Sequence, residues 1–278
     1  MKHKMQQPIG AGQIKILRDW HLKLSNVIAE MGKPDFEIAL VTALHQVIGF
    51  DYSVMWAYHS NKKPIDLFNT FDAEKKEVLI TQYLEGPYLL DPYYRACQRE
   101  IEPGFYRIGD LSPVQIGHSE YFKTYYKNAK LTDEACFILY PCQNISVVVS
   151  LMRGNSSSAF SVSDTRVMNN VEPVVQQLGK QHWQHIGEQF TGVKESNLEQ
   201  GDIDRVFDAF LQDILPPRER EVVSFVLKGF SSVAIASELG LAVATIKTYR
   251  RNIYAKLRIS SQSELFSLFL SAICRHSN

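Results

Sequence analysis

The stretch LPPREREVVSFVLKGFSSVAIASELGLAVATIKTYRRNIYAKL, residues 215–257, divides into three short segments that each carry apolar residues at helical spacing. Pro217 suits the first turn of the first segment, and Gly229 can end that segment in a left-handed conformation. Ser231 can cap the second segment, and Gly240 allows a tight turn into the third. The pattern predicts three short helices that cross closely.

The third segment, over about residues 243–257, has one apolar side and one polar side. Its apolar side carries aliphatic residues at helical spacing, Ile246, Ile253 and Leu257. Lys247, Thr248 and Arg251 therefore share the opposite face, one turn apart. A helix held by two others can enter the major groove of DNA, where Arg251 can donate two hydrogen bonds to guanine. The predicted DNA-binding set is completed by side chains that can reach phosphates, Thr245, Tyr249, Arg250 and Lys256, and by Ser231 and Ser232.

Charge is distributed unevenly along this chain of 278 residues, whose formal net charge is zero. Residues 214–278 hold nine Lys or Arg and four Glu, a net charge of +5, so the preceding residues carry −5. A basic segment on an acidic remainder suits a module that meets phosphate joined to one that does not. The alternative is a chance asymmetry, in which a small helical bundle exposes a solvated basic face.

This stretch resembles the LuxR-type helix-turn-helix domain. The residues that stand in register with the family pattern are Leu215, Arg218, Glu219, Glu221, Val222, Gly229, Ile235, Ala236, Leu239, Thr245, Lys247, Lys256 and Leu257. Three positions depart from the pattern: Pro216 replaces a capping Thr, Ala242 a capping Ser, and Tyr249 the usual His. The missing cap at Ala242 should weaken the start of the third helix by about 1 kcal/mol.

The resemblance implies a sequence-specific DNA-binding transcription regulator with an all-α, four-helix C-terminal domain. It implies base contacts at Lys247, Thr248 and Arg251. It also implies a homodimer that pairs through the fourth helix, whose apolar side includes Leu265, Leu268, Phe269 and Ile273.

The residues before this domain predict an α+β domain with a PAS- or GAF-like central antiparallel sheet flanked by helices. Apolar spacing predicts helices over about residues 13–31, 35–48, 72–85, 91–99 and 118–129, and a long final helix that Ser163 can cap. Two hairpins are predicted, at DYSVMWAYH and IDLFNTF around SNKKP, and at CFILYPC and ISVVVSLMR around Gln143 and Asn144. The predicted division is a sensing or dimerisation domain over 1–190, a polar linker over 191–213, and the DNA-binding domain over 214–278.

The segment YLEGPYLLDPYYRAC, residues 83–97, resembles the sensor halves of LuxR-type regulators that bind acyl-homoserine lactones. Asp91 would match their amide-binding Asp, but the Trp upstream of Tyr83 that holds the lactone carbonyl is missing. We therefore predict a pocket for a small molecule other than a standard lactone. The candidate pocket residues are aromatic side chains and one acceptor: Trp56, Tyr58, Tyr83, Tyr88, Asp91, Phe105 and Tyr125. Alternatively, these aromatic residues form an ordinary core and Asp91 is a helix cap.

Several protein classes lack support in the sequence. No long apolar run or signal peptide is present, which predicts a cytoplasmic protein without membrane contact. The cysteines Cys97, Cys136, Cys142 and Cys274 have no zinc-finger spacing, and no G-x-S-x-G, H-E-x-x-H or Walker motif occurs. We therefore expect no metal, no cofactor and no enzyme activity. The remaining alternatives are a ligand-free scaffold as the N-terminal domain and, less favoured, an enzyme domain fused to a DNA-binding module.

Overall fold

A five-stranded antiparallel sheet forms the centre of the N-terminal domain in the computed structural model, which describes residues 11–60, 62–111, 129–193, 210–227, 230–262 and 264–269. Its strands lie in the order β2-β1-β5-β4-β3. They are β1 (Tyr52–His59), β2 (Lys62–Asn69), β3 (Gly104–Arg107), β4 (Leu131–Cys142) and β5 (Ile145–Gly154). The sheet and its flanking helices confirm the predicted α+β class. The predicted helix over 118–129 lies outside the described residues, apart from Ala129.

Helices cover one face of the sheet: α1 (Ala11–Ala29), α2 (Phe36–Val47) and α6 (Val162–His182). Strand β1 lies inside the sheet, so both of its faces are buried, which explains its unbroken apolar run. Met55 and Ala57 point to the helical face and share a core with Phe36 and Val175. The opposite face of β1 carries Val54, Trp56 and Tyr58.

The second face of the sheet is covered by an irregular segment between β2 and β3. It consists of α3 (Ala73–Lys76), a π-helical turn (Glu77–Gln82), two 3₁₀ turns (Tyr83–Glu85 and Pro87–Leu90) and α4 (Pro92–Gln98). The predicted break at Gly86 is present, with φ at +148°. Short α5 (Ile108–Leu111) follows β3.

Two details of the sequence-based prediction are wrong. The long helix is capped by Ser161 and not by Ser163, because Asp164 lies three residues after Ser161 and the two complete a reciprocal capping box. Strand β3 was not predicted, because its four residues give too short a pattern to distinguish from a loop.

The C-terminal domain contains α7 (Pro217–Leu227), α8 (Ser232–Leu239) and α9 (Val243–Leu257), and residues 264–269 are also helical. The predicted punctuation is confirmed where it is described: the Ser231 hydroxyl accepts from the Ala234 N–H, and Gly240 is left-handed with φ at +63°. Gly229 lies outside the described residues. The shared core includes Val222, Val226, Ile235, Ile246, Ile253, Leu265 and Phe269.

The predicted fourth-helix residues separate in the structure. Leu265 and Phe269 are fully buried, and Phe269 packs edge-on against Phe210 with ring centroids 5.1 Å apart. Leu268 is 37% exposed, and Ile273 lies outside the described residues. Among the described helices, none combines the length and apolar character needed to cross a membrane.

Candidate DNA interface and effector pocket

The recognition face of α9 is exposed. Lys247, Thr248 and Arg251 all lie on the surface, one helical turn apart. The Thr248 hydroxyl donates to the carbonyl of Ala244 at 3.0 Å, which fixes its side chain against the helix. The side chains of Lys247 and Arg251 bind no other residue within the described part of the chain. Two long cations are therefore available to a ligand outside the protein.

Arg250 has a different environment, because its guanidinium lies between three parts of the domain. It donates to the Ser232 hydroxyl at 3.3 Å, to the Tyr254 hydroxyl at 3.1 Å and to Gln262 Oε1 at 2.8 Å. The Gln262 amide donates in turn to the carbonyl of Val226 at 3.3 Å. Arg250 thus connects the start of α8, the middle of α9 and the residues that precede the fourth helix.

Replacing Arg250 with Met should destabilise the C-terminal domain by about 1–3 kcal/mol, because it leaves several half-buried polar groups without their charged partner. Hydrogen exchange of α8 and α9, followed by mass spectrometry, would measure the loss. Arg251→Met is the matched control, since it removes the same charge from the exposed face and should leave exchange unchanged. Equal protection in both variants would show that the Arg250 contacts contribute little.

Lys256 is also paired inside the domain. Its ammonium group lies 2.8 Å from both carboxylate oxygens of Glu219, whose side chain is only 8% exposed. The Lys256 side chain itself is 42% exposed, so part of it remains accessible.

The other predicted DNA contacts occupy mixed positions. The Ser231 hydroxyl is used as the cap of α8, and the Ser232 hydroxyl accepts from Arg250. Thr245 and Tyr249 are half-buried, and Tyr249 packs against the domain core. Ala242 makes no side-chain cap at the start of α9, as its residue type predicts.

A cavity of about 30 Å³ lies between the sheet and the irregular segment of the N-terminal domain. Its lining residues are Val54, Trp56, Tyr58, Phe71, Leu79, Tyr83, Asp91, Leu131, Glu134, Ser150 and Met152. A volume of this size holds roughly one or two water molecules. Four of the predicted pocket residues, Trp56, Tyr58, Tyr83 and Asp91, therefore meet at one cavity.

The other three predicted pocket residues do not line this cavity. Tyr88 is buried beside it, with its ring centroid 6.2 Å from that of Tyr83. Phe105 lies on the opposite face of the sheet and contacts Phe137 at 5.4 Å, because the register of β3 on β4 directs it there. Tyr125 lies outside the described residues.

A chain of hydrogen bonds runs along the wall of the cavity. The hydroxyls of Tyr58 and Tyr83 are 2.8 Å apart, and the Tyr83 hydroxyl donates to Asp91 Oδ2 at 2.7 Å. Asp91 Oδ1 accepts from the Tyr93 N–H at 2.7 Å, so Asp91 caps α4 and faces the cavity at the same time. Because the Tyr83 hydrogen is directed at Asp91, the Tyr58 hydroxyl must donate to Tyr83.

Glu134 is a cavity residue that sequence reasoning missed. It lies on β4, it is 5% exposed, and burial together with the nearby Asp91 carboxylate raises its pKa from 4.5 to about 8, while a hydrogen bond with Ser150 opposes the rise. An acidic residue within the apolar pattern of β4 was the available signal. Its direction became clear only from the pairing of β4 with β5.

A second cavity of about 50 Å³ lies on the other side of Tyr58, lined in part by Cys97, Tyr140 and Ser146. Tyr58 contributes to both cavities. Within the residues that the structure describes, no three His, Cys, Asp or Glu side chains are arranged to hold a metal ion.

Comparison with known proteins identifies the C-terminal domain. Residues 213–269 match the family model described as bacterial regulatory proteins, luxR family. A putative HTH-type transcriptional regulator in the exeN 3' region of Aeromonas salmonicida is 28% identical over 184 residues, which are 65% of this chain and 93% of that protein. The monoamine regulon transcriptional regulator of Klebsiella aerogenes is 42% identical over 57 residues, but these are only 20% of this chain and 25% of that protein.

The N-terminal domain shares its fold with a solved structure, the VqsR LBD domain from Pseudomonas aeruginosa. The TM-score is 0.51 at 24% sequence identity, and the match covers 59% of this chain and 95% of that chain. The likeness shows a common fold for the N-terminal domain.

Proposed function

From the premise that the chain is a LuxR-type transcriptional regulator, we propose that α9 reads duplex DNA in the major groove through Lys247, Thr248 and Arg251. The observation that carries this proposal is the exposed face of α9, where two cations stand one turn apart without partners in the described part of the chain. Arg251 supplies the fork that matches guanine, and Lys247 a flexible donor. The net charge of +5 over residues 214–278 supports attraction to phosphate.

The structure alters the roles that we propose for the neighbouring residues. Arg250, Ser231 and Ser232 have internal partners that set the orientation of α9. Thr245 and Tyr249 remain candidates for phosphate contact beside the recognition face. Lys256 can reach a phosphate only with the part of its side chain that Glu219 leaves exposed.

We further propose that a small molecule bound in the N-terminal domain controls DNA binding by a homodimer located in the cytoplasm. The shared cavity of Trp56, Tyr58, Tyr83 and Asp91 supports a ligand site. Control requires that the ligand prefer one arrangement of the protein, since equal affinity for both shifts nothing. A ligand-free scaffold is the second candidate, and the small volume of the cavity favours it.

DNA binding by the full chain should fall steeply as salt rises, because each neutralised phosphate releases counterions. The operator is first selected from a random duplex library, and fluorescence anisotropy then gives the affinity at several salt concentrations. Failure to enrich any sequence, or an affinity that salt does not change, would contradict the proposed function.

Arg251→Ala should weaken binding to the selected operator by about 1–3 kcal/mol and relax the preference at one base pair. Anisotropy on the operator and on its single-base variants measures both effects. Lys33→Ala, which removes one exposed positive charge from the N-terminal domain, is the control and should leave the preference intact. An equal loss on operator and random DNA would assign Arg251 to the phosphate backbone.

A further inference from the structure

The cavity of the N-terminal domain is acidic and aromatic. Its polar side chains include the carboxyl groups of Asp91 and Glu134, and its walls include four aromatic rings, those of Trp56, Tyr58, Phe71 and Tyr83. None of the lining residues, within the part of the chain that the structure describes, is Lys, Arg or His. We infer that this site takes an organic cation: a primary or methylated ammonium group that carries a small apolar substituent. This inference rests on the proposed control by a ligand and specifies its chemical class.

The two carboxyl groups create a demand for positive charge. Both are more than nine-tenths buried, and they are close enough for the charge of Asp91 to disfavour ionisation of Glu134. Like charges in a site without a cation oppose each other, and a cation placed between them removes that cost. Hydrogen bonds from an ammonium group to ionised carboxylates are also among the stronger ones in proteins.

The aromatic rings are placed to complete a site for a cation. The ring of Trp56 lies 4.8 Å from that of Tyr83 and 6.4 Å from that of Tyr58. Aromatic faces attract an ammonium group that lies within about 6 Å of the ring centre, and several such faces form the usual cage for alkylated ammonium groups.

A neutral ligand recognised through carbonyl oxygens fits this site less well, because such oxygens need hydrogen-bond donors. The hydroxyl hydrogens of Tyr58 and Tyr83 are already directed along the chain that ends at Asp91. A carbonyl oxygen placed near Asp91 would also meet a carboxylate. An ammonium group, in contrast, brings its own donors and can leave the existing hydrogen bonds in place.

The size of the cavity fits an ammonium group but not its substituent. About 30 Å³ accommodates a group the size of a water molecule, so a substituent requires movement of a wall. Two walls are candidates. The π-helical turn Glu77–Gln82 contributes Leu79, and π-helical turns are often found at functional sites. Tyr58 separates this cavity from the second one, which offers about 50 Å³.

The test is isothermal titration calorimetry on the full chain at pH 8 with butylammonium, phenethylammonium and tetramethylammonium chlorides. Primary alkylammonium groups keep their charge at this pH. The matched neutral probes are 1-butanol and 2-phenylethanol. At least one cation should bind, about tenfold or more tighter than its neutral counterpart or, for tetramethylammonium, than either alcohol, given the strength of hydrogen bonds to charged groups and of cation–π contacts.

Glu134→Gln and Asp91→Asn should each weaken binding of that cation by about tenfold or more. Asn can still cap α4, and thermal unfolding followed by circular dichroism checks that both variants are folded. Glu188→Gln removes a carboxylate from an exposed position in the same domain and should bind like the wild type.

Three outcomes would overturn the inference: no cation binds, a neutral probe binds as well as its cation, or both pocket variants bind the cation as tightly as the wild type. DNA affinity is measured on the same preparations. A chain that binds its operator but no cation would leave the proposed DNA-binding function intact and disprove only the ligand class.

Discussion

Glu134→Gln is expected to stabilise the N-terminal domain by about 3 kcal/mol at pH 7. The carboxyl group of Glu134 has an ordinary pKa of 4.5 and a pKa of about 8 in the folded domain, because the folded state buries it beside Asp91. The unfolded chain can ionise this group freely at pH 7, whereas the folded chain keeps it mostly protonated. The difference between the two pKa values therefore subtracts from the stability of the wild type.

The sign of this effect fixes its pH window. A pKa that is raised on folding leaves the stability unaffected below about pH 4.5, and the stability then falls as the pH rises to about 8. The gain from Glu134→Gln should thus vanish near pH 4 and reach about 4–5 kcal/mol above pH 8. A glutamine keeps the shape of the side chain and has no charge to desolvate.

Urea unfolding monitored by tryptophan fluorescence measures this gain selectively, since Trp20, Trp56 and Trp183 all precede residue 190. Glu188→Gln is the control: its side chain is 84% exposed and its replacement should change stability little at any pH. A gain from Glu134→Gln that does not depend on pH would mean that the carboxyl group is not protonated by burial.

A destabilising carboxyl group in an otherwise apolar wall is an argument about function. A core that served only as a scaffold would be more stable with a neutral residue at this position, as the expected gain for Gln indicates. Ionisable groups that reduce stability are common at binding sites, where a ligand supplies the missing partner. The same variant that should stabilise the free domain should therefore weaken binding of a cation.

Local signals account for what the sequence predicted well. The start of α8 and the turn after it depend on Ser231 and Gly240, each of which acts on backbone groups within a few residues. The central hairpin strands β4 and β5 were recognisable because both faces of each strand are buried, which requires a continuous apolar run.

The partners of the basic residues on α9 could not be predicted in the same way. Arg250 meets Gln262, 12 residues away, and Lys256 meets Glu219, 37 residues away. Helical periodicity gives the face on which a cation lies but does not reveal which residue of another helix opposes it. Both cations were therefore predicted as phosphate contacts on spacing alone.

The face of a short strand was equally inaccessible. Phe105 was predicted in the pocket with Trp56, but a shift of one residue in the register of β3 exchanges the two faces of a strand. Glu134 was overlooked for a related reason: its inward direction depends on the pairing of β4 with β5.

Lys256→Met is expected to destabilise the C-terminal domain by about 2–4 kcal/mol. The Glu219 carboxylate is almost fully buried, and its two oxygens share the Lys256 ammonium group at 2.8 Å. Removal of one partner of a buried ion pair leaves an uncompensated charge, which typically costs about 3–5 kcal/mol. The partial exposure of Lys256 admits water and reduces that cost.

Hydrogen exchange of the amides in α7 and α9 would report this loss within the full chain. The double variant Glu219→Met with Lys256→Met should recover most of the protection, because two apolar side chains leave no buried charge. Failure of the double variant to recover would mean that the long side chains contribute through packing and not through charge.

The same variant separates a structural role of Lys256 from a phosphate contact. If Lys256 serves the ion pair, the slope of log affinity against log salt should remain that of the wild type at a temperature where the variant is folded. Lys247→Met is the matched control on the same helix: its side chain is exposed, so protection should be unchanged while the slope falls by about 0.9 for each phosphate that the variant no longer neutralises. A reduced slope for Lys256→Met would show that its exposed portion binds phosphate. The Glu219 carboxylate would then hold the ammonium group in position for DNA.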